Sequence, residues 1–432
     1  MKLPELSKHY RDRQPSDIRK AQIEFSKRKD KNSINVINLA IGNISLPIYP
    51  SMMKRLKELG NSRFTDGVIK YTPSSGTKEA QKAFLNILSA EGIDTSIIFS
   101  MVTDGGSAAM ELMLLGVCGP ASEYPIMFLD PVYTNYVQFA KRLAIPTIST
   151  YRKIENTGLF SSLDLKKIES QIKKHRPLGI LIIPYDNPTG QFLSQNLISD
   201  ISKLAVKYNM WLISDEAYRP LYYKSKKSST IWNINEKVVP GIKGRRISIE
   251  SSSKVWNACG LRIGGLLTDN QEFYKKAVAE YTANLCANVL GQEVFGSLEN
   301  ESHRNIRQWY DNQRNYYKTI LFELKNDFQN ELPGIIVTEP ESAIYFIIDF
   351  KNLVTEDFDT SDFTQFCAIK GKVNIDNIFY TILLAPMGSF YRDSIYGKSQ
   401  IRIAIVQSYK IMKLVPKILA KLFFEFQNSS YL

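Results

Sequence analysis

The chain has 432 residues, enough for one to three domains on a prior of ~150 residues each. Its 44% hydrophobic and 11% aromatic content supports a large packed core and excludes disordered and fibrous classes. With 55 basic against 43 acidic residues the formal net charge is +12, a balance that could steer nucleic acid or any other anionic ligand. The basic residues are scattered, however, with short clusters only at 27–31, 224–227 and 243–246, and no helix-turn-helix, RNP or zinc-finger pattern accompanies them. Nucleic-acid binding is therefore not expected. No apolar run approaches ~18–20 residues, so no transmembrane helix is expected, and the charged first 20 residues lack the apolar core of a secretory signal. Cys118, Cys259, Cys286 and Cys367 show no CxxC spacing, which fits a reduced, cytoplasmic setting. His9, His175 and His303 lie far apart, so neither a metal site nor a histidine base is expected.

In chain order, the first ~50 residues read as an irregular arm expected to pack on a second domain or another subunit. Short β-rich apolar runs then alternate with helical stretches. The strands expected are 124–130, 145–151, 178–185, 211–217 and 246–251, with helices at 133–143 and 163–174. A further helix over 197–208 has apolar residues at 197, 198, 201, 204, 205 and 208, close to helical spacing. Strands buried on both faces and separated by helices predict an α/β domain with a mostly parallel sheet. After about residue 300 the texture changes: an amphipathic helix over 303–328 leads to strands at 334–338, 344–350 and 400–405, a smaller α+β domain. The expected division is 1–52 (arm and start of the small domain), 53–300 (large domain) and 301–432 (small domain).

Ligands of parallel sheets sit at the carboxyl ends of the strands, so polar residues just after each strand are where chemistry is sought. Thr103-Asp104-Gly105-Gly106-Ser107 opens a helix; glycines admit a close ligand and a helix N-terminus favours an anion, although alone this is an ordinary glycine turn. Tyr185-Asp186-Asn187-Pro188-Thr189-Gly190 is turn chemistry that suits a tight loop equally well. Ser214-Asp215-Glu216-Ala217-Tyr218 puts acids at a strand end, where they could pair with a ligand cation or simply start a helix. Ser251-Ser252-Ser253-Lys254, followed by Arg262 and Gly264, concentrates donors around one lysine. A partly desolvated lysine at a strand end can act as an amine nucleophile.

Together and in this order these segments resemble fold-type I pyridoxal-phosphate enzymes, specifically the class I/II aminotransferases. The resemblance runs from about Ile37 to Ala404 and rests on YTPSSG, DGGSAA, PVYTNY, NPTG, SDEAY, SxSKxxxxxGxRxG and IRIA. It implies that Lys254 forms the Schiff base with pyridoxal phosphate and later shuttles the substrate proton. It also implies that Asp215 keeps the pyridinium nitrogen protonated, so that the ring serves as an electron sink. Asn187 and Tyr218 match the residues that hydrogen-bond the ring's O3′, and Tyr133 the aromatic ring stacked on the pyridine. Gly105, Gly106 and Ser107 with Ser251 and Arg262 match the phosphate cup, where a guanidinium gives two parallel charged bonds. Tyr71 is similar to the tyrosine that reaches the neighbouring subunit's phosphate, implying a homodimer. Arg402 aligns with the arginine that clamps the α-carboxylate, and Gly42 with a glycine near the substrate.

The sequence also departs from the pattern. Asn43 stands where many members carry an acid, and Ser342 where many place glycine. Between Lys276 and Arg304 the only basic side chain is His303, whereas aspartate-using relatives take a second arginine from about this region. The implied reaction is transfer of an amino group between an α-amino acid and an α-keto acid. β-Elimination (carbon–sulfur lyase), cyclisation or an oxidative variant would use the same residues. A non-catalytic effector-binding module of a transcription regulator is disfavoured, because only about 35 residues precede the matched region, too few for a winged helix.

Overall fold

The computed structural model describes residues 4–225 and 227–429. The chain divides into a large compact unit, residues 43–323 with 338–346, and a small one, residues up to 42 with 324–337 and from 347 onwards. These boundaries differ from the expected 52/53 and 300/301. The expected 300/301 junction falls just before the helix His303–Glu331, whereas the division falls inside that helix, between 323 and 324.

In the large unit, seven strands form one sheet: β1 (Phe99–Asp104), β2 (Ile126–Asp130), β3 (Thr147–Tyr151), β4 (Gly179–Ile182), β5 (Trp211–Asp215), β6 (Arg246–Ser251) and β7 (Ile263–Thr268). Their order across the sheet is β1-β7-β6-β5-β4-β2-β3. Only β7 runs against its neighbours; the other six are parallel. The carboxyl ends of those six therefore share one edge, and β7 starts there. Its register puts Ile263 opposite Asp104 and Gly264 opposite Ser251.

The hydrophobic runs make this sheet the centre of the core. Phe128, Leu181, Ile213, Ile247 and Leu266 are buried together against the helices Gly105–Val117 and Gln271–Tyr281. Each such side chain contributes roughly 1.5–3 kcal/mol on full burial. Strands β1 and β7 were not among the sequence-derived strands. Gly264 and Gly265 weaken the β signal of β7, yet Gly264 is required there, because a Cβ at this position would overlap the Gly105–Gly106 backbone.

In the small unit, Asn35–Asn38, Ile378–Leu383 and Val373–Ile375 form one sheet. A second sheet has the order Ala385–Pro386, Gln400–Ala404, Tyr345–Asp349, Ile336–Val337, the division of the chain falling within its strand Tyr345–Asp349. The N-terminal segment is more regular than an arm. Its helix Asp17–Ser26 packs on Thr360–Ile369, and Arg28 donates to the Gly371 carbonyl at 3.0 Å while pairing with Asp30 at 2.9 Å.

Candidate active site

The first post-strand segment builds an anion cradle. Gly105 takes φ +71°, a left-handed conformation suited to glycine, and opens the 13-residue helix Gly105–Val117. No side chain caps that helix. The preceding carboxylate of Asp104 instead accepts the Asn288 N–H at 2.8 Å and the Tyr281 hydroxyl at 3.1 Å. The first N–H groups of the helix thus have no side-chain acceptor, and the positive end of the dipole is presented at the sheet edge. The Arg262 guanidinium lies against Gly105, occupying the space a Cβ would need, and its Nη1 donates to the Cys259 carbonyl at 3.0 Å. Ser251 lies beside Gly106, its Cβ in van der Waals range of where a Gly106 Cβ would stand. Two glycines, an uncapped helix, a serine and a guanidinium form a donor set suited to a phosphate.

One strand over, Asp215 ends β5 almost fully buried. Burial pushes its carboxyl up to about 6; the Ala217 N–H and the Tyr136 hydroxyl pull it back, Asp186 raises it further, and the Lys254 ammonium lowers it. The Ala217 N–H reaches Oδ1 at 3.1 Å and the Tyr136 hydroxyl reaches Oδ2 at 2.9 Å. An acid so desolvated ionises readily only opposite a cation, which suits a protonated ring nitrogen. Asn187, after β4, donates from Nδ2 to the Tyr218 hydroxyl at 3.4 Å, and that hydroxyl shares a 2.8 Å hydrogen bond with Tyr345. Tyr133 immediately precedes the helix Thr134–Arg142, its ring edge-on to Tyr136 with centroids 6.3 Å apart.

Lys254 sits three residues past β6 in a turn stapled to the start of β7. Ser252 makes this tie through its N–H and hydroxyl, both donating to the Ile263 carbonyl at 3.0 Å. From the helix His303–Glu331, the Trp309 indole donates to the Val255 carbonyl at 2.8 Å. Asn257, at φ +56°, donates to the Pro47 carbonyl at 2.9 Å, and the Cys259 thiol donates to Asn43 at 3.3 Å. Gly105, Gly106, Ser107, Tyr133, Asn187, Asp215, Tyr218, Ser251, Lys254 and Arg262 thus all belong to the large unit, in the segments that leave or enter one sheet edge.

Two of the sequence-derived residues belong to the small unit. Arg402 is buried in the strand Gln400–Ala404, with Nη2 donating to the Ala40 carbonyl at 2.6 Å and its guanidinium 5.1 Å from the Phe390 ring centre. It therefore lies against the loop that ends at Gly42. Tyr71 belongs to the large unit but is 78% exposed. Ser342, the departure from glycine, is buried, and its N–H donates to the Gly190 carbonyl at 2.7 Å, closing the Asn-Pro-Thr-Gly turn.

Several residues escaped the sequence reading. Tyr136 stands one helical turn from Tyr133, a spacing that could have flagged it as a second ring on the same face. Tyr345 carried no signal. Glu216 points away from Asp215 into a buried cluster. There Arg219 meets Glu250 through two bonds at 3.0 and 3.1 Å, Glu91 at 2.8 Å and Glu216 at 3.7 Å. Burial, opposed by Arg219, pushes Glu250 up to about 8.

The family model described as aminotransferase class I and II matches residues 34–408. An aspartate aminotransferase of Pyrococcus horikoshii is 24% identical over 363 residues, 83% of this chain and 85% of the relative. One from Sulfolobus acidocaldarius is 25% identical, covering 78% and 80%. Among solved structures, the alanine aminotransferase of Pyrococcus furiosus superposes with a TM-score of 0.78 at 19% identity, covering 98% and 100% of the two chains. With a family match spanning most of the sequence, the chain belongs to the class I and II aminotransferases and is a pyridoxal-phosphate-dependent transaminase.

Proposed function

We propose that Lys254, Asp215 and Tyr218 carry the reaction in this chain, and that the amino donor is a monocarboxylic rather than a dicarboxylic amino acid. The observation that carries the assignment is the convergence of Asp215, Asn187, Tyr218, Lys254 and the Gly105–Ser107 helix start on one sheet edge. Bound pyridoxal phosphate supplies an electron sink for the pair left at the substrate's Cα. The chain's own groups do the rest. The Gly105–Ser107 N–H groups, Ser251 and Arg262 hold the phosphate, and Asp215 holds a proton on the ring nitrogen. Tyr133 covers the ring face, and Asn187 and Tyr218 bond its phenolic oxygen. The Lys254 amine would hold the cofactor through its carbonyl carbon and, as a general base, would take up the proton at the substrate's Cα. Arg402 binds the substrate α-carboxylate through its planar fork. The donor preference is supported by the stretch between Lys276 and Arg304, which holds no lysine or arginine to meet a side-chain carboxylate.

A homodimer with Tyr71 reaching the neighbouring phosphate is part of the same proposal. Its support is the exposure of Tyr71 beside exposed Val68 and Ile69, in a segment joined by the Ser74 hydroxyl to the carbonyl of exposed Leu285 at 2.6 Å. The four cysteines, none in a disulfide, accord with a reducing, cytoplasmic compartment. The test is the absorption spectrum of purified protein against a panel of amino acids. A cofactor band that Lys254→Ala abolishes, and that converts to the pyridoxamine form with a monocarboxylic donor, is expected. Release of keto acid and ammonia without the pyridoxamine form would move the reaction to a lyase. Mixing inactive Tyr71→Ala and Lys254→Ala chains should restore activity if sites are shared between subunits, and failure to restore it refutes the shared site.

A further inference from the structure

Arg152 follows β3 and is buried, with 4% of its surface exposed. No sequence motif marked it, and the reaction as described does not use it. Its guanidinium reaches two loops that leave different strands. On one side Nη2 donates to the Pro131 carbonyl and Nε to the Asp130 carbonyl, each at 3.4 Å, while the Arg152 N–H donates to the same Asp130 carbonyl at 3.0 Å. On the other side Nη2 meets Asp186 Oδ2 at 2.8 Å and Nη1 meets Gln191 Oε1 at 3.3 Å. Asp186 is itself buried and also accepts the Thr189 hydroxyl at 2.5 Å.

The loops so joined are those that present the ring-side groups. Pro131 is two residues from Tyr133 and leads into the helix turn whose Tyr136 hydroxyl bonds Asp215. Asp186 immediately precedes Asn187, and Gln191 closes the same turn through its carbonyl, which accepts the Asp186 N–H at 2.9 Å. A planar, always-charged fork suits this task, because its donors diverge in fixed directions and one cation can satisfy two loops. Lysine could answer Asp186 but not also span the Asp130 and Pro131 carbonyls with the same geometry.

We propose that Arg152, through its ion pair with Asp186, is a positioning residue that registers the Tyr133 loop against the Asn187 loop and so sets the spacing of the two sides of the cofactor ring. The proposal rests on the assignment of Tyr133 and Asn187 to that ring. Arg152 touches no reacting atom. It acts through the two loops, and the pair balances its own charge where a lone buried carboxylate or guanidinium would be costly.

The experiment compares the holoenzyme with Arg152→Met, Arg152→Lys, Asp186→Asn and the double variant Arg152→Met with Asp186→Asn. Thermal stability, cofactor dissociation constant and visible circular dichroism of the bound cofactor are measured for each. Arg152→Met is expected to lose stability and to weaken cofactor binding about 10- to 100-fold, with an altered dichroic band, because misalignment of positioned groups has costs of that order. The double variant, with no orphaned charge, is expected to regain stability but neither cofactor affinity nor the native band. Arg152→Lys should fall between wild type and Arg152→Met in both cofactor readouts. A double variant with native affinity and native dichroism would overturn the proposal and reduce the pair to charge balance in the core. So would an Arg152→Met protein that binds cofactor as wild type does. Should Arg152→Met fail to fold, the double variant decides by the same criteria. Asn187→Ala is the control: if it leaves cofactor binding and dichroism unchanged, the ring-side assignment itself has failed, whatever the Arg152 variants show.

Discussion

Replacing Asp215 by asparagine removes the charge of the buried acid while keeping its shape. Asn Oδ1 can accept the Ala217 N–H as before, and its amide can donate to the Tyr136 oxygen, so both contacts survive, the second with donor and acceptor exchanged. In the protein without cofactor, burial raises the carboxyl from 3.8 to about 6. A raised acid binds its proton more tightly when folded. Its ionisation therefore erodes stability as pH rises from about 4 through about 6, and the cost is complete above that window. Since each tenfold gain in proton affinity is worth about 1.4 kcal/mol, a rise of this size costs the folded protein about 3 kcal/mol. Cofactor-free Asp215→Asn is thus expected to be more stable than wild type at pH 8 by up to about 3 kcal/mol, the gap closing below pH about 4. Denaturant midpoints across pH, measured without and with cofactor, read this out. With cofactor bound the order should reverse, because the ionised Asp215 then has a ring cation to meet, and kcat/KM of the variant should fall by about 10²–10³-fold or more. A cofactor-free variant no more stable than wild type at pH 8, or a gap that persists into acid, would refute the argument that Asp215 waits for a cation.

Gly264→Ala places a methyl group on the Gly105–Gly106 backbone, where no flexible side chain can yield, so the cradle must open. Cofactor affinity should fall more than with Gly60→Ala, whose Cβ meets nothing within 4 Å; equal affinities would show that the helix start does not hold the phosphate. Arg402→Lys keeps the charge and loses the fork, so KM for both amino and keto acid should rise about tenfold or more while cofactor affinity stays unchanged; equilibrium cofactor titration checks the second part. Arg219→Met leaves Glu91, Glu216 and Glu250 buried without their shared cation and should destabilise by about 3–5 kcal/mol at pH 8. The loss should shrink toward pH 5, because burial holds the Glu250, Glu91 and Glu216 carboxyls above the usual carboxylate range and they take up protons as pH falls. A loss independent of pH would mean that packing rather than charge is at stake.

The family was legible because its motifs are contiguous. Gly-Gly before a helix, Asn-Pro-Thr-Gly, and a lysine among serines are each short segments at strand ends, and their order along the chain carries the resemblance. Hydrophobic runs such as 126–130 and 211–215 mark buried strands, whose ends indicate where chemistry gathers. Strand β7 was illegible for the opposite reason: Gly264 and Gly265 depress its β signal, and the role of Gly264, admitting the Gly105–Gly106 backbone, exists only once two distant segments meet. The division between 323 and 324 leaves no mark in the composition because it falls inside the continuous helix His303–Glu331.

The sequence by itself determined the α/β class, through the periodicity of its strands and helices, and the family, through contiguous motifs in a fixed order. Tertiary structure alone decided what surrounds the motif residues. The Tyr136 hydroxyl reaches Asp215 across 79 residues, Tyr345 reaches Tyr218 across 127, and Arg152 reaches Asp186 across 34. It also decided that Glu216, the neighbour of Asp215, turns away to Arg219. The physical reason is that charge and hydrogen-bond partners are assigned by desolvation. A buried polar group must find its complement wherever the packed sheet brings one, and no local spacing records which distant side chain that will be.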